Sequence, residues 1–417
     1  MNSGKRGIWW GILGLGALIL LVAVWRIRPI IFPNQPPGRE PITPTVLPTL
    51  TPTREPIIPT PTATPDPNSG APTTPTAAPL SPTAAAPSPT PSPATATTSA
   101  INRETPSSEA IPYAQRFGAA GPSQVVQAAQ TAGLPIGTYL DWHFNSAPVE
   151  PPGITYWQMV RLTEAGLVES WDALTDAVRA RPGSVWIVGN EPDVTWQDNV
   201  TASRYAELYH AVYTAIKGLD ATAQIASAGV SQSTPLRRAY LDAVLDTYQA
   251  RYGEKMPVDI WTVHAFTLRE QANSWGVGIP PGMNNTQGEL YEIVDHDNMD
   301  YFRQNLLDFR AWMAARGYRD RPLAVTEFGI LLPNDYGFPP EAVAAYLTRT
   351  FDFLLTAANE TGYPADGNRL AQWWFWYSIE DLPSYYPTGD LYNSRLNTLT
   401  QVGEAFQEFY HNHQPQP

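Results

Sequence analysis

The chain of 417 residues contains no cysteine. That excludes disulfide staples, thiolate metal sites and a cysteine nucleophile. Positive charge is scarce: 26 Lys and Arg stand against 39 Asp and Glu, for a net charge of -13. With no basic patch or basic run, nucleic acid is not an expected partner. The acidic groups are dispersed, without a long acidic tail. Signatures of metal chemistry are missing too: there is no His-Glu-x-x-His and no EF-hand spacing, so neither a catalytic metal nor a cofactor is expected. The segment DHDN at 295–298 reads as the cap of a following helix, with Asp297 or Asn298 at the N-cap.

What the chain does contain falls into three zones. Residues 8–25, IWWGILGLGALILLVAVW, carry no charge. Their length is near the lower limit for a membrane-spanning helix, and Trp9, Trp10 and Trp25 sit where an interfacial belt would put them. No small-x-small cleavage site follows the apolar run, which leads directly into Arg26 and Arg28, so an uncleaved signal anchor over 1–32 is expected rather than a removed signal peptide. Residues 33–110 are dominated by Pro, Thr, Ala and Ser. Such a stretch has too few large apolar residues for a core, and its prolines block helix and sheet. It is expected to be a disordered, semi-rigid stalk that holds residues 111–417 away from a cell membrane, on the extracellular side.

From residue 111 onward strand and helix patterns alternate. Apolar strand-like runs occupy 113–120, 135–142, 154–162, 185–190, 223–230, 258–266, 322–329 and 370–378. Helical spacing is read at 123–132, 163–180, 201–219, 236–252, 301–316, 340–359 and 402–410. Near-continuous apolar strands alternating with helices indicate a parallel sheet covered on both faces, and eight of them are what a (β/α)8 TIM barrel requires. An open doubly wound sheet is the competing arrangement, but no Gly-rich phosphate loop follows the first strand.

In a barrel, chemistry sits at the carboxyl ends of the strands. Those ends carry Asp141, Trp142 and His143 on strand two, Asn190 and Glu191 on strand four, His264 and Phe266 on strand six, Thr326 and Glu327 on strand seven, and Trp373, Trp374 and Trp376 on strand eight. Two glutamates ending apolar strands are costly unless used or paired. The bland alternatives are a turn carboxylate before Pro192, a strand-end ion pair at Glu327 and a satisfied core histidine at His264. Fourteen tryptophans suit a large aromatic core and a sugar cleft equally well, since a pyranose packs on an aromatic plane.

GNEP after strand four and TEFG after strand seven resemble the clan of retaining glycoside hydrolases built on (β/α)8 barrels with catalytic carboxylates on those strands. The resemblance implies a β-glycosidase acting inside glycan chains of an extracellular polysaccharide. Glu191 would be the general acid/base and Glu327 the nucleophile. Asn190 would bond the substrate 2-hydroxyl and His264 would line the cleft. Trp374 or Trp376 would form the sugar platform, with Trp142 and Arg116 as further substrate contacts. Several families of the clan place a Tyr, bonded to the nucleophile, where this chain has Phe266. Tyr377 or Arg116 would then orient Glu327. Two rival readings share the barrel: a carbohydrate-binding protein without hydrolytic activity, and a component of an export system that trims exopolysaccharide.

Overall fold

The computed structural model describes residues 111–382 and 384–416. The expected anchor and stalk lie outside them. Among the described residues no helix is long and apolar enough to cross a membrane.

The fold is a parallel-sheet α/β arrangement. Eight strands carry it: β1 (Phe117–Ala120), β2 (Thr138–Leu140), β3 (Gln158–Val160), β4 (Val185–Val188), β5 (Gln224–Ala226), β6 (Trp261–His264), β7 (Leu323–Phe328) and β8 (Trp373–Tyr377). β8 pairs with β1, β1 with β2, β3 with β4, β4 with β5, β6 with β7 and β7 with β8, all parallel. Two links complete the circuit. Thr155–Tyr156 pairs with β2 and runs through Trp157 into β3. A parallel bridge from Ala226 to Ile260 joins β5 to the start of β6. The pairing therefore closes on itself, with every strand buried on both faces except at its tips.

Alternation sorts the side chains into two layers. Leu140, Trp157, Met159, Ile187, Ala324 and Phe375 form a cluster inside the ring. Their sequence neighbours Tyr139, Val160, Val188, Val325 and Trp374 join the larger cluster shared with the helices. Those helices are α1 (Ser123–Thr131), α2 (Trp171–Ala180), α3 (Ala202–Leu219), α4 (Pro235–Tyr252), α5 (Met299–Ala315), α6 (Pro340–Thr356) and α7 (Gln401–Asn412). Local chemistry starts and stops them. Thr234 caps α4 by accepting from the Arg237 N–H, Pro235 follows at the first helical position, and Gly253 ends the helix at φ 72°, the left-handed geometry a C-cap glycine supplies. Asn298 caps α5 through the Asp300 N–H, as the 295–298 segment led one to expect.

Several boundaries differ from the sequence expectation. Tyr113–Arg116 is a turn of helix after Pro112, and strand pairing starts only at Phe117. A short apolar run cannot be told from buried helix by periodicity. Thr163 does not open a helix. It sits in a small hairpin with Gly166 at φ 149°, and α2 begins at Trp171 under a Ser170 cap. Between β2 and β3 the described chain has no helix, in agreement with the sequence pattern, so the strand–helix alternation is broken once. Beyond α6, Ala358–Tyr363 forms an extended segment bridged to Arg369 instead of continuing the helix.

Candidate active site

Glu191 is placed by backbone geometry just past β4. Gly189 takes φ 95°, and a Cβ there would meet Ala228 and Tyr205 at 3.2 Å. Its N–H is still bonded to the Val160 carbonyl of β3 at 2.8 Å. Two residues on, the Glu191 N–H bonds the Gly229 carbonyl beyond β5 at 3.0 Å. Glu191 itself sits at φ 43°, a conformation bulky residues rarely hold without support. Asn190 between them is fixed by its own N–H, which donates to Asp198 Oδ2 at 2.7 Å.

His264 closes β6 and lies in register beside Glu327 of β7. Its ring occupies the space that a side chain at position 229 would need: a Cβ there would stand 2.5 Å from Cδ2 and 2.7 Å from Nε2. Glycine at 229 is thus what lets the imidazole lie across the strand ends. Nδ1 is 2.8 Å from Glu191 Oε1 and 3.8 Å from Glu327 Oε2. The three groups converge, with one donor atom of each within 4.8 Å of the others. On the far side the Trp142 indole N–H donates to Glu327 Oε1 at 2.7 Å.

The two carboxyls are 6% exposed apiece, and this burial dominates their ionisation. It pushes Glu191 up to about 8, helped by Asp193 and opposed by Arg237 and Arg161. Glu191 therefore carries its proton at neutral pH. Glu327 is also raised, first by burial. His264 opposes that rise, Glu191 adds to it through like-charge repulsion, and the Trp142 hydrogen bond lowers it. Burial lowers His264, against the pull of Glu327, so the imidazole is neutral. Its Nε2 and the Oδ1 of Asn190 are buried and have no partner among the described residues, which leaves both to a ligand or water.

A cleft that opens to solvent lies above these groups. Trp196 and Gln197 wall it from the loop after β4. Phe266, Leu268, Trp275 and Val277 wall it from the end of β6 and the loop that follows. Leu331, Leu332, Tyr377 and Tyr386 complete it. Behind the wall a fully buried Arg237 stands 3.3 Å from Asp193 and 3.1 Å from Glu270, and its Nη2 donates to the carbonyls of Val277 and Gly278. This network anchors the loop after β6 to α4. No motif in the sequence signals this network, although Asp193 lies only two residues past Glu191.

Asn190, Glu191, His264, Glu327 and Trp142 are brought together. Three expected site residues are not. Trp374 and Trp376 are fully buried and face the helices: Trp374 packs on Phe117 and Phe351, and Trp376 packs on Phe328 and donates to the Gly389 carbonyl at 2.6 Å. The opposite parity faces inward, so Tyr377 is the β8 residue in the cleft. Arg116 precedes β1, at the other end of the ring, and is paired to Asp366 by bonds of 2.6 and 2.8 Å. Nor does Tyr377 orient Glu327, since its hydroxyl is directed to Asp381 at 3.3 Å. Among the described residues, Glu191, His264 and Glu327 are also the group of metal-ligand type. Their closest contact is an ordinary hydrogen-bond distance.

No protein-family model matches the chain, and no curated protein matches it in sequence. Several solved structures are similar. One is a GH128 (subgroup II) endo-β-1,3-glucanase from Sorangium cellulosum, at 16% identity over 70% of this chain and 97% of that one, with a TM-score of 0.47. A curdlan-specific GH128 (subgroup III) exo-β-1,3-glucanase from Blastomyces gilchristii, in complex with glucose, matches at 21% identity over 70% and 97%, with a TM-score of 0.46. A GH128 (subgroup I) endo-β-1,3-glucanase from Amycolatopsis mediterranei, in complex with laminaritriose, matches at 17% identity over 71% and 99%, with a TM-score of 0.46.

Proposed function

We propose that this protein hydrolyses O-glycosidic bonds of an extracellular polysaccharide with net retention, as a β-glycosidase. The observation that carries the reading is a pair of buried carboxyls at the ends of β4 and β7, each with an oxygen within 4.8 Å of the other and of one histidine. Retaining enzymes hold their two carboxyls roughly 5 Å apart, because one must attack the anomeric carbon while the other protonates the leaving oxygen. Glu191, pushed up to about 8, is the general acid and then the base that activates water. Glu327, receiving the Trp142 N–H, is the nucleophile and forms the glycosyl-enzyme. Asn190 offers its unpartnered Oδ1 to a sugar hydroxyl. Trp196, Trp275 and Tyr377 supply the aromatic surfaces. Residues 8–25 tether the enzyme to the cell membrane, and the Pro/Thr-rich stretch carries the catalytic part outward.

Hydrolysis across a panel of soluble polysaccharides is the test. β-1,3-Glucans come first, since the similar structures are described as β-1,3-glucanases. Released reducing ends that vanish in a Glu327→Ala variant support the reading. Binding to a glycan without release of reducing ends would favour the binding-only barrel.

A further inference from the structure

We propose that Trp142 is the positioning residue for the Glu327 carboxylate: its indole N–H holds Oε1 in line for attack, in place of the hydroxyl that Phe266 cannot supply. The inference rests on Glu327 being the nucleophile. It gives Trp142 a role other than stacking on sugar.

The geometry is specific. The N–H to Oε1 distance is 2.7 Å, in the range of a bond to an ionised acceptor. Trp142 reaches it from a backbone at φ 62°, a left-handed conformation that a bulky residue holds only when its surroundings enforce it. Other donors are turned elsewhere. His264 Nδ1 is committed to Glu191 at 2.8 Å and stands 3.8 Å from Glu327 Oε2. The Tyr377 hydroxyl donates to Asp381, and Phe266 has no donor at all. The titratable and charged groups acting on Glu327 are His264, Glu191 and Arg161, together with the Tyr377 hydroxyl, on which Glu327 acts in turn. An indole suits this place chemically. It donates only, it has no lone pair to repel the carboxylate, and it does not titrate in the working range of the enzyme. A hydrogen bond made to the charged form lowers the pH needed to ionise a buried carboxyl, which matters here because burial drives Glu327 the other way.

The test is Trp142→Phe in the full chain, read as a pH profile on a cleaved aryl glycoside. Loss of the N–H should move the acid limb of kcat/KM upward by about one pH unit and lower kcat by about 10- to 100-fold. The alkaline limb, set by Glu191, should stay where it was, and KM should hardly change. Trapping with a 2-deoxy-2-fluoro glycoside should label Glu327 correspondingly more slowly. A sugar platform would behave differently: KM would rise with both limbs unmoved, and that outcome overturns the proposal. If the Phe variant does not fold, benzothienylalanine at position 142 replaces N–H by sulfur in a ring of the same shape and reads the same limb. Glu327→Gly separates the two ideas. If that variant keeps its activity on a natural glycan, the nucleophile reading itself has failed. If it is inactive and the Trp142 variants leave the acid limb in place, only the positioning role has failed.

Discussion

Arg116 and Asp366, at the amino ends of the strands, are buried to 6% and 5% side-chain exposure and meet through two bonds of 2.6 and 2.8 Å. Arg369 and Gln372 add further contacts to the same carboxylate at 3.0 and 3.3 Å. Glu191 and Glu327, at the carboxyl ends, are buried almost as deeply, yet among the described residues neither is paired with an arginine or lysine. Their partners are a neutral imidazole and an indole. One end of the ring thus compensates its charge and the other leaves two acids pushed upward by burial. Uncompensated burial costs stability, and a site that does chemistry is where that cost is retained. The two ends should therefore respond in opposite ways to mutation.

The largest effect is expected at the carboxyl ends and in activity. Removing either Glu191 or Glu327 should lower kcat on a natural glycan by about 10⁴-fold or more, while thermal melting shows a fold no less stable than the parent. Next comes the amino end, where the effect should be in stability. Arg116→Met leaves Asp366 buried without its main partner, and breaking a buried pair in this way costs about 3–5 kcal/mol. Denaturant melts should show that loss, and kcat per folded molecule should be unchanged. If activity falls while stability holds, the assignment of Arg116 to the framework is wrong.

A smaller effect sharpens the contrast and has a definite sign. Between the ordinary value of 4.5 and about 8, folded Glu191 keeps a proton that the unfolded chain has lost. Stability contributed by this group therefore falls as pH rises through that window. Glu191→Gln, which cannot ionise, should match the parent near pH 4.5 and exceed it by on the order of a few kcal/mol near pH 9. Paired melts at the two pH values check this. A gain that does not grow with pH would remove burial of an ionisable group as its cause. The smallest expected effect is none: incubation with EDTA should leave activity intact, because the mechanism uses only protein groups. Loss on chelation and recovery with a divalent ion would instead assign Glu191, His264 and Glu327 to a metal.

How legible these two ends were in the sequence depends on how each residue is encoded. Glu191, His264 and Glu327 end apolar runs, so their place follows from where polarity begins, and an error of a few residues in the strand does little harm. Parity along WWFWY is different. Trp374 and Phe375 are both fully buried, so alternation carries no signal about which side faces the cleft, and the wrong tryptophans were expected there. Arg116 was misplaced because 113–120 reads as one strand. With the strand starting at Phe117, the arginine falls at its amino end, away from the chemistry. The Trp142 contact could not have been read at all, since it depends on a left-handed residue that brings together positions 185 apart in sequence.

The division of roles between Glu191 and Glu327 is tested most directly by azide rescue. With Glu327→Gly, no covalent intermediate can form, and azide occupies the vacated space and attacks the anomeric carbon itself. From an activated aryl β-glycoside the product should be an α-glycosyl azide. With Glu191→Ala, the activated leaving group needs little acid help, Glu327 is still glycosylated, and azide displaces it without a base, so the product should be a β-glycosyl azide. Proton NMR of the anomeric signal distinguishes the two. The α product from Glu327→Gly and the β product from Glu191→Ala are what this account predicts. The opposite pairing would mean that nucleophile and acid/base are exchanged, and undiminished cleavage of a natural glycan by either variant would contradict the site itself.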